Sequence, residues 1–305
     1  VEFKQGGKRI FAEARGETIL SAGSIGSVQI LQRSGIGPAE WLAPLGIEIR
    51  HELAGVGRNL QDHLQQRAIY KVSGVKTLNV DYQSMLKRVW MGLEYALLRR
   101  GALSMAPSQL GLFTRSSPER ERANIEFHVQ PLSLDKFGDP LHDFSAITVS
   151  ACNLRPTSRG TIRIVSSAPG EAPEIAPNYL STDEDRTVAA NAIRVTRKLM
   201  AQDALMPFSP EEYLPGPLVD DSEQALVAAA GDIGTTIFHP VGTAKMGLAS
   251  DPLAVVDARL KLFGLEGLRV ADASVMPSII SGNTNTPTIM IAQKAADMIM
   301  ADMRE

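Results

Sequence analysis

Apolar and polar residues alternate over the first stretch of the chain. Phe3, Ile10 and Phe11 flank Gly6 and Gly7, which predicts a hairpin, and residues 17–21 read as a short buried strand. The apolar period then lengthens. Residues 25–33 fit a helix capped by Ser24 and closed at Gly35, giving a strand, a small-residue turn and a helix. A short helix over 39–45 and an alternating strand at 47–50 are expected before the glycine-rich loop at 55–63. Residues 85–99 have helical spacing, with Trp90, Leu93, Ala96 and Leu97 expected on a core face and Arg88, Arg99 and Arg100 toward solvent. Strands are expected at 125–129, 147–154 and 160–165, and their turns suggest one mixed, mainly antiparallel sheet. A Pro-rich connection at 169–177 leads to a helix opening at Thr182, whose acidic first turn suits the helix dipole; a second helix is expected over 221–230.

The stretch from 269 to 300 combines a short strand, a polar loop and a helix. Residues 269–273 form the strand and residues 281–285 (Ser-Gly-Asn-Thr-Asn) the loop. Thr286 and Pro287 predict the helix start, because Thr is a good N-cap and Pro tolerates the first helical position. Ile291, Ala295, Met298 and Ile299 continue at helical spacing. A loop that opens on a helix N-terminus is a natural anion site, since free N–H groups and the dipole point into it. The pattern predicts a ligand pocket without naming the ligand.

Bulk properties narrow the classes. The 305 residues suffice for about two domains, and a formal charge of -3 argues against nucleic acid as the main partner. Cys152 is the single cysteine, which excludes an internal disulfide framework and a thiolate metal cluster, and suits a reducing compartment; a cytoplasmic location is the expectation. No apolar run is long enough to span a bilayer. The opening Val1-Glu2-Phe3-Lys4 has neither an initiator Met nor a signal-peptide pattern, so the chain reads as cut or processed at its start.

Two histidines stand beside chemistry-bearing neighbours. His63 follows Asp62, but adjacent side chains in extended backbone diverge, which favours a structural role for that pair. His239 lies between the apolar run 236–238 and a Pro-Val-Gly turn. It has no second histidine at metal-ligand spacing, so no metal is expected. A lone histidine of this kind serves either as a core residue or as a base, since an ordinary imidazole titrates near neutrality.

Taken together, these stretches resemble the GMC oxidoreductases, the flavoprotein family of glucose oxidase and choline dehydrogenase. Residues 23–37 are similar to the family's second signature, departing at Val28, where proline is usual. Residues 57–63 (Gly-Arg-Asn-Leu-Gln-Asp-His), 154–160, 238–247 with its His-Pro-Val-Gly-Thr block, and 272–297 also match, in family order and closest to the choline-dehydrogenase-like branch. The family's G-x-G-x-x-G nucleotide fingerprint has no counterpart here. The resemblance therefore implies the C-terminal part of a family member, with the N-terminal FAD-binding half either on a separate chain or outside this sequence. The implied fold class is α/β plus α+β: the C-terminal part of an FAD-binding Rossmann-like domain (1–64 and 250–305) with a substrate-binding domain (65–249) on a mixed, mainly antiparallel sheet.

The implied activity is oxidation of a small-molecule alcohol with hydride passing to the FAD N5. By resemblance His239 is the general base and Asn283 holds the substrate oxygen. Ala22, Gly23, Asp272 and Ala273 would lie near the nucleotide part of FAD, and Asn285 and Thr286 near the flavin pyrimidine. A lyase or decarboxylase on the same scaffold, or a flavin-free truncated partner protein, are the alternatives. A choline substrate would want an aromatic or acidic cage, and aromatics make up only 5% of the chain.

Overall fold

The computed structural model describes residues 1–106 and 108–304. The chain divides into two compact units: Val1–Asp62, Ser158–Tyr179 and Phe238–Glu305 form one, and His63–Thr157 with Leu180–Ile237 form the other. The first of these takes in 158–179 and 238–249, which the sequence reading assigned to the substrate-binding domain. Backbone pairing is the reason. Leu60 bridges Gly160, and Gln61 bridges Val241, so both stretches are stitched to the 55–62 loop.

The three-stretch unit has no large sheet. Glu2–Gln5 and Lys8–Phe11 form the expected hairpin, with Gly6 and Gly7 both at positive φ as its two-residue turn demands. Thr18–Leu20 pairs in parallel with Leu268–Val270. The helix that follows is Gly23–Arg33, and Ser24 is not its cap. The Ser24 hydroxyl donates instead to the Pro240 carbonyl, and the Asp272 carboxylate takes the Gly23 N–H. The strand expected at 47–50 does not form. The Gly35 carbonyl takes the N–H groups of both Arg50 and His51, and the parallel ladder begins with Ile36–Gly37 against His51–Glu52. Gly35 itself is required: at φ +79, any Cβ would lie 2.2 Å from the Glu48 carbonyl oxygen. Val28, Leu31, Val56, Leu60, Ile162, Val255, Val256 and Val270 build the core.

The other unit is organised by a six-stranded sheet. Its order is Glu211–Leu214, Leu64–Lys71, Ala146–Asn153, Ile125–Gln130 and Leu110–Thr114, with Gly234–Thr236 also paired to Leu64–Lys71. Every pairing in it is antiparallel, rather than mixed. The expected strand at 160–165 is not part of it: Thr161–Arg163 pairs with Glu174–Ala176 in the three-stretch unit. Period-2 alternation separates two faces. Ala68, Tyr70, Ile125, Phe127, Val149 and Ala151 face Val188, Ala192 and Met200 of the helix Asp183–Met200, whose Thr182 cap accepts from the Asp185 N–H as expected. Gln65, Arg67, Glu126, His128 and Ser150 alternate with these residues and form the opposite, polar face.

The 85–98 helix forms, but its apolar face covers no core. Trp90 is 65% exposed and Leu97 77%, and the helix buries none of its residues. No helix among the described residues is long and apolar enough to cross a membrane.

Candidate functional site

The candidate site lies in the three-stretch unit, on loops fixed by buried polar side chains. His239 is 8% exposed. Its backbone N–H donates to Asp62 Oδ1 at 2.9 Å, and the Tyr179 hydroxyl donates to Asp62 Oδ2. The two neighbours Asp62 and His63 do diverge: the carboxylate serves residue 239, while His63 Nε2 meets the Leu154 carbonyl within the sheet unit. Phe238, just before His239, holds φ 64, a left-handed conformation that an aromatic residue rarely adopts. Such strain persists where surrounding bonds over-determine it. Here they do. Pro240 is held by Ser24, Val241 pairs both ways with Gln61, and Thr243 Oγ1 donates to the Ser24 carbonyl.

The opposite wall is the 277–285 loop. Gln61 Nε2 donates to the Pro277 carbonyl at 3.1 Å, and Gln61 Oε1 accepts the Ile279 N–H at 3.1 Å. One buried glutamine thus ties the backbone beside His239 to the approach of Asn283. The result is a close pair: Asn283 Nδ2 lies 3.5 Å from His239 Nε2. The helix beyond runs Asn285–Asp302, two residues earlier than its predicted first position at Pro287. Its N-cap is Thr284, not Thr286, and the Thr284 side chain makes no capping bond. Pro287 falls in the first turn, where its lack of an N–H costs nothing. Asn285 and Thr286 are exposed at this uncapped end.

A second group gathers at the start of the 23–33 helix. Asp272 accepts four bonds: Gly23 N–H and Ser27 Oγ on Oδ2, Ser274 N–H and Oγ on Oδ1. Ala22 N–H donates to Ser27 Oγ. Ala273 lies between Asp272 and Ser274, and its carbonyl accepts the Gly242 N–H at 3.3 Å. The structure thus brings His239 to Asn283, and Ala22 and Gly23 to Asp272 and Ala273. The 242–246 strip joins the two groups, because it also hydrogen-bonds along 273–275. Asn285 and Thr286 follow Asn283 after Thr284. Asp62, Gln61, Tyr179 and Ser24 are supports that the sequence reading did not single out for this site. Their signal was faint: an amide and a carboxylate at the end of a Gly-rich loop.

The comparisons with known proteins show the family. One GMC oxidoreductase family model matches residues 1–65 and a second matches 156–292. The chain belongs to the GMC oxidoreductase family. Mitochondrial choline dehydrogenase of Mus musculus is 41% identical over 301 residues, covering 98% of this chain and 50% of the relative. The alcohol dehydrogenase [acceptor] of Pseudomonas putida is 40% identical over 286 residues, covering 93% of this chain and 51% of that protein. Among solved structures, formate oxidase of Aspergillus oryzae superposes with a TM-score of 0.89 at 27% identity, covering 98% of this chain and 56% of the other. This GMC chain spans about half the length of the curated relatives it matches.

Proposed function

We propose that this chain carries the proton-accepting and substrate-orienting residues of an FAD-dependent alcohol oxidation, with His239 as general base and Asn283 as the oxygen's second partner. The observation that carries this reading is the 3.5 Å approach of His239 Nε2 to Asn283 Nδ2. An alcohol oxygen beside both atoms can donate its proton to Nε2 while accepting from the amide N–H. Loss of that proton builds alkoxide character on the oxygen, which weakens the carbinol C–H bond. The amide holds the developing charge and fixes the rotation of the C–O bond, and such positioning is worth several kcal/mol. Asp62 has the part of a positioning residue: by holding the residue 239 backbone it sets where the imidazole stands.

The chain's residues suit FAD. The uncapped end at Thr284, with Asn285 and Thr286 exposed beside Asn283, offers first-turn N–H groups to acceptor oxygens of a flavin pyrimidine. Ala22, Gly23, Asp272 and Ala273 would lie toward the nucleotide part of a bound FAD; Gly23 is at φ +75 with open space on its Cβ side, so a ligand can approach the backbone there. Asp272 has its four bonds within the protein and shapes this turn. When bound, FAD supplies the hydride acceptor. The substrate class is a small alcohol; the relatives named for choline and for alcohol oxidation support it. An N-terminal half, on the same or a separate chain, completes the FAD site. The 18-residue last helix supports this, since it buries Ala295 alone while Ile289, Met290 and Met300 stay exposed.

The test is anaerobic reduction of the assembled flavoprotein by an alcohol, followed as bleaching of the flavin absorbance. His239→Ala lowers the reductive rate by roughly 10²–10⁴-fold and leaves flavin absorbance in place. Reduction at the parent rate removes the assignment.

A further inference from the structure

Gln61 is 2% exposed and is bonded on two sides at once. Its main chain pairs with Val241: the Gln61 N–H donates to the Val241 carbonyl at 3.0 Å, and the Val241 N–H donates to the Gln61 carbonyl at 2.9 Å. Its side-chain amide reaches the other way. Nε2 donates to the Pro277 carbonyl and Oε1 accepts the Ile279 N–H, each at 3.1 Å. A C=O and an N–H from residues two apart are what one residue of a parallel strand takes from its neighbour. The side-chain amide thus stands where a strand residue opposite Ser278 would stand. With main chain to one side and side chain to the other, Gln61 spaces the segment that carries His239 from the segment that leads to Asn283.

Glutamine has the donor, the acceptor and the reach for this place. Glutamate would set an acceptor against the Pro277 carbonyl, asparagine falls one methylene short, and methionine fills the volume without bonding. The apolar contacts behind the amide do not set the spacing as sharply. Val241, Met276 and Ile279 pack as one cluster, and apolar packing has no direction. The two ends of the amide also differ. Asn59 Nδ2 reaches the Pro277 carbonyl as well, at 3.3 Å, so that oxygen has a second donor, whereas the Ile279 N–H goes to Gln61 Oε1. Loss of the amide therefore frees the 279 end first, the end nearer Asn283.

We propose that Gln61 is a positioning residue of the reaction: its side-chain amide sets how closely Asn283 stands to His239. This rests on the reading of His239 and Asn283 as base and oxygen partner. Misplacing an orienting group by roughly 1 Å can cost about 10²-fold in rate, so the amide is felt in the chemical step more than in binding. The Gln61 main chain keeps its pairing with Val241 whatever side chain it bears, which leaves His239 in place when the amide is removed. The effect of removing it therefore runs through Asn283.

The experiment follows anaerobic bleaching of the assembled flavoprotein over a range of concentrations of 1-butanol or benzyl alcohol, giving a limiting rate and a half-saturating concentration for each variant. Gln61→Met is expected to lower the limiting rate roughly 10- to 100-fold, to leave the half-saturating concentration within about threefold, and to keep the parent's flavin content. In an Asn283→Ala background the same change is expected to cost less than about threefold, because the side chain it positions is gone. Equal loss from Gln61→Met in the two backgrounds overturns the proposal. So does a Gln61→Met protein with less bound flavin but the parent's rate per flavin, since both results mark a purely structural glutamine. If Asn283→Ala is reduced at the parent rate, or the parent is bleached by neither alcohol, the alcohol-oxidation reading falls and the positioning role with it. If Asn283→Ala is slow and Gln61→Met is not, only the positioning role falls. Should Gln61→Met fail to fold, Gln61→Asn, which keeps the amide and loses the reach, is put to the same comparisons.

Discussion

The two units hold themselves together by opposite means. The six-stranded unit relies on a continuous antiparallel ladder and an apolar layer, in which Phe127, Ile125 and Ala151 pack under the 183–200 helix. The three-stretch unit has only two-stranded sheets, and buried polar side chains join its loops: Asp272, Gln32, Gln61 and Arg269 each link segments far apart in sequence. A ladder repeats a local rule and tolerates local change. A polar knot depends on each donor finding its acceptor, and a broken knot leaves several buried groups without partners at once. The catalytic candidates sit where the second method rules. Loops fixed by side chains can hold an imidazole and an amide in geometries that no regular element supplies.

The largest test of this contrast is a matched pair of truncations. Asp272→Ala strips acceptors from Gly23, Ser27 and Ser274, at a cost of roughly 3–5 kcal/mol. Phe127→Ala opens a cavity in the sheet unit, also at about 3–5 kcal/mol. Hydrogen exchange read amide by amide should show each loss confined to its own unit. Uniform acceleration across both units after either change would break the contrast.

The units should also fail at opposite ends of the pH scale. Burial, and then Glu212, raise the Tyr70 pKa, so the folded sheet unit keeps this phenol protonated. Its stabilisation is present below the unfolded value of about 10 and is lost as pH rises toward the higher folded value. Hydrogen bonds from Lys261 and Arg269 hold Asp302 below the usual carboxylate range. That contribution is present above about pH 4 and is lost as pH falls toward the depressed value. Denaturant midpoints against pH should therefore flatten on the alkaline side in Tyr70→Phe and on the acid side in Asp302→Asn. The smallest effect belongs to the 85–98 helix. Trp90→Ser, at a position 65% exposed, should change stability by no more than about 0.5 kcal/mol in a denaturant melt.

What could be read from the chain divides along the same line. Alternation at 125–129 located a strand, because a strand's period is local. The acidic turn after Thr182 located the 183–200 helix for the same reason. Periodicity alone misled at 85–98, where the helix is real but Trp90, Leu93 and Leu97 have no core to enter. It misled again at 47–50, where the Gly35 carbonyl takes over the ladder. Ser24 looked like a cap, but the Gly23 N–H goes to Asp272, 249 positions from Gly23. His239 and Asn283 were recognisable through family motifs, and nothing local announced that they meet. That Asp62 and His63 part company followed from strand geometry. That the carboxylate then grips the residue 239 N–H did not, because no spacing rule reaches across 177 positions.

The pairing of Thr18–Leu20 with Leu268–Val270 has a consequence for the order of assembly. Every strand of the large sheet lies between residues 64 and 236, so that sheet can close while downstream chain is still being made. The early segments cannot do likewise. Gly23 and Ser27 must stay hydrated until residue 272 emerges from the ribosome, and the loop-closure entropy of that late encounter falls on an already folded insertion. The candidate site would then be the last part of this chain to take shape during its synthesis.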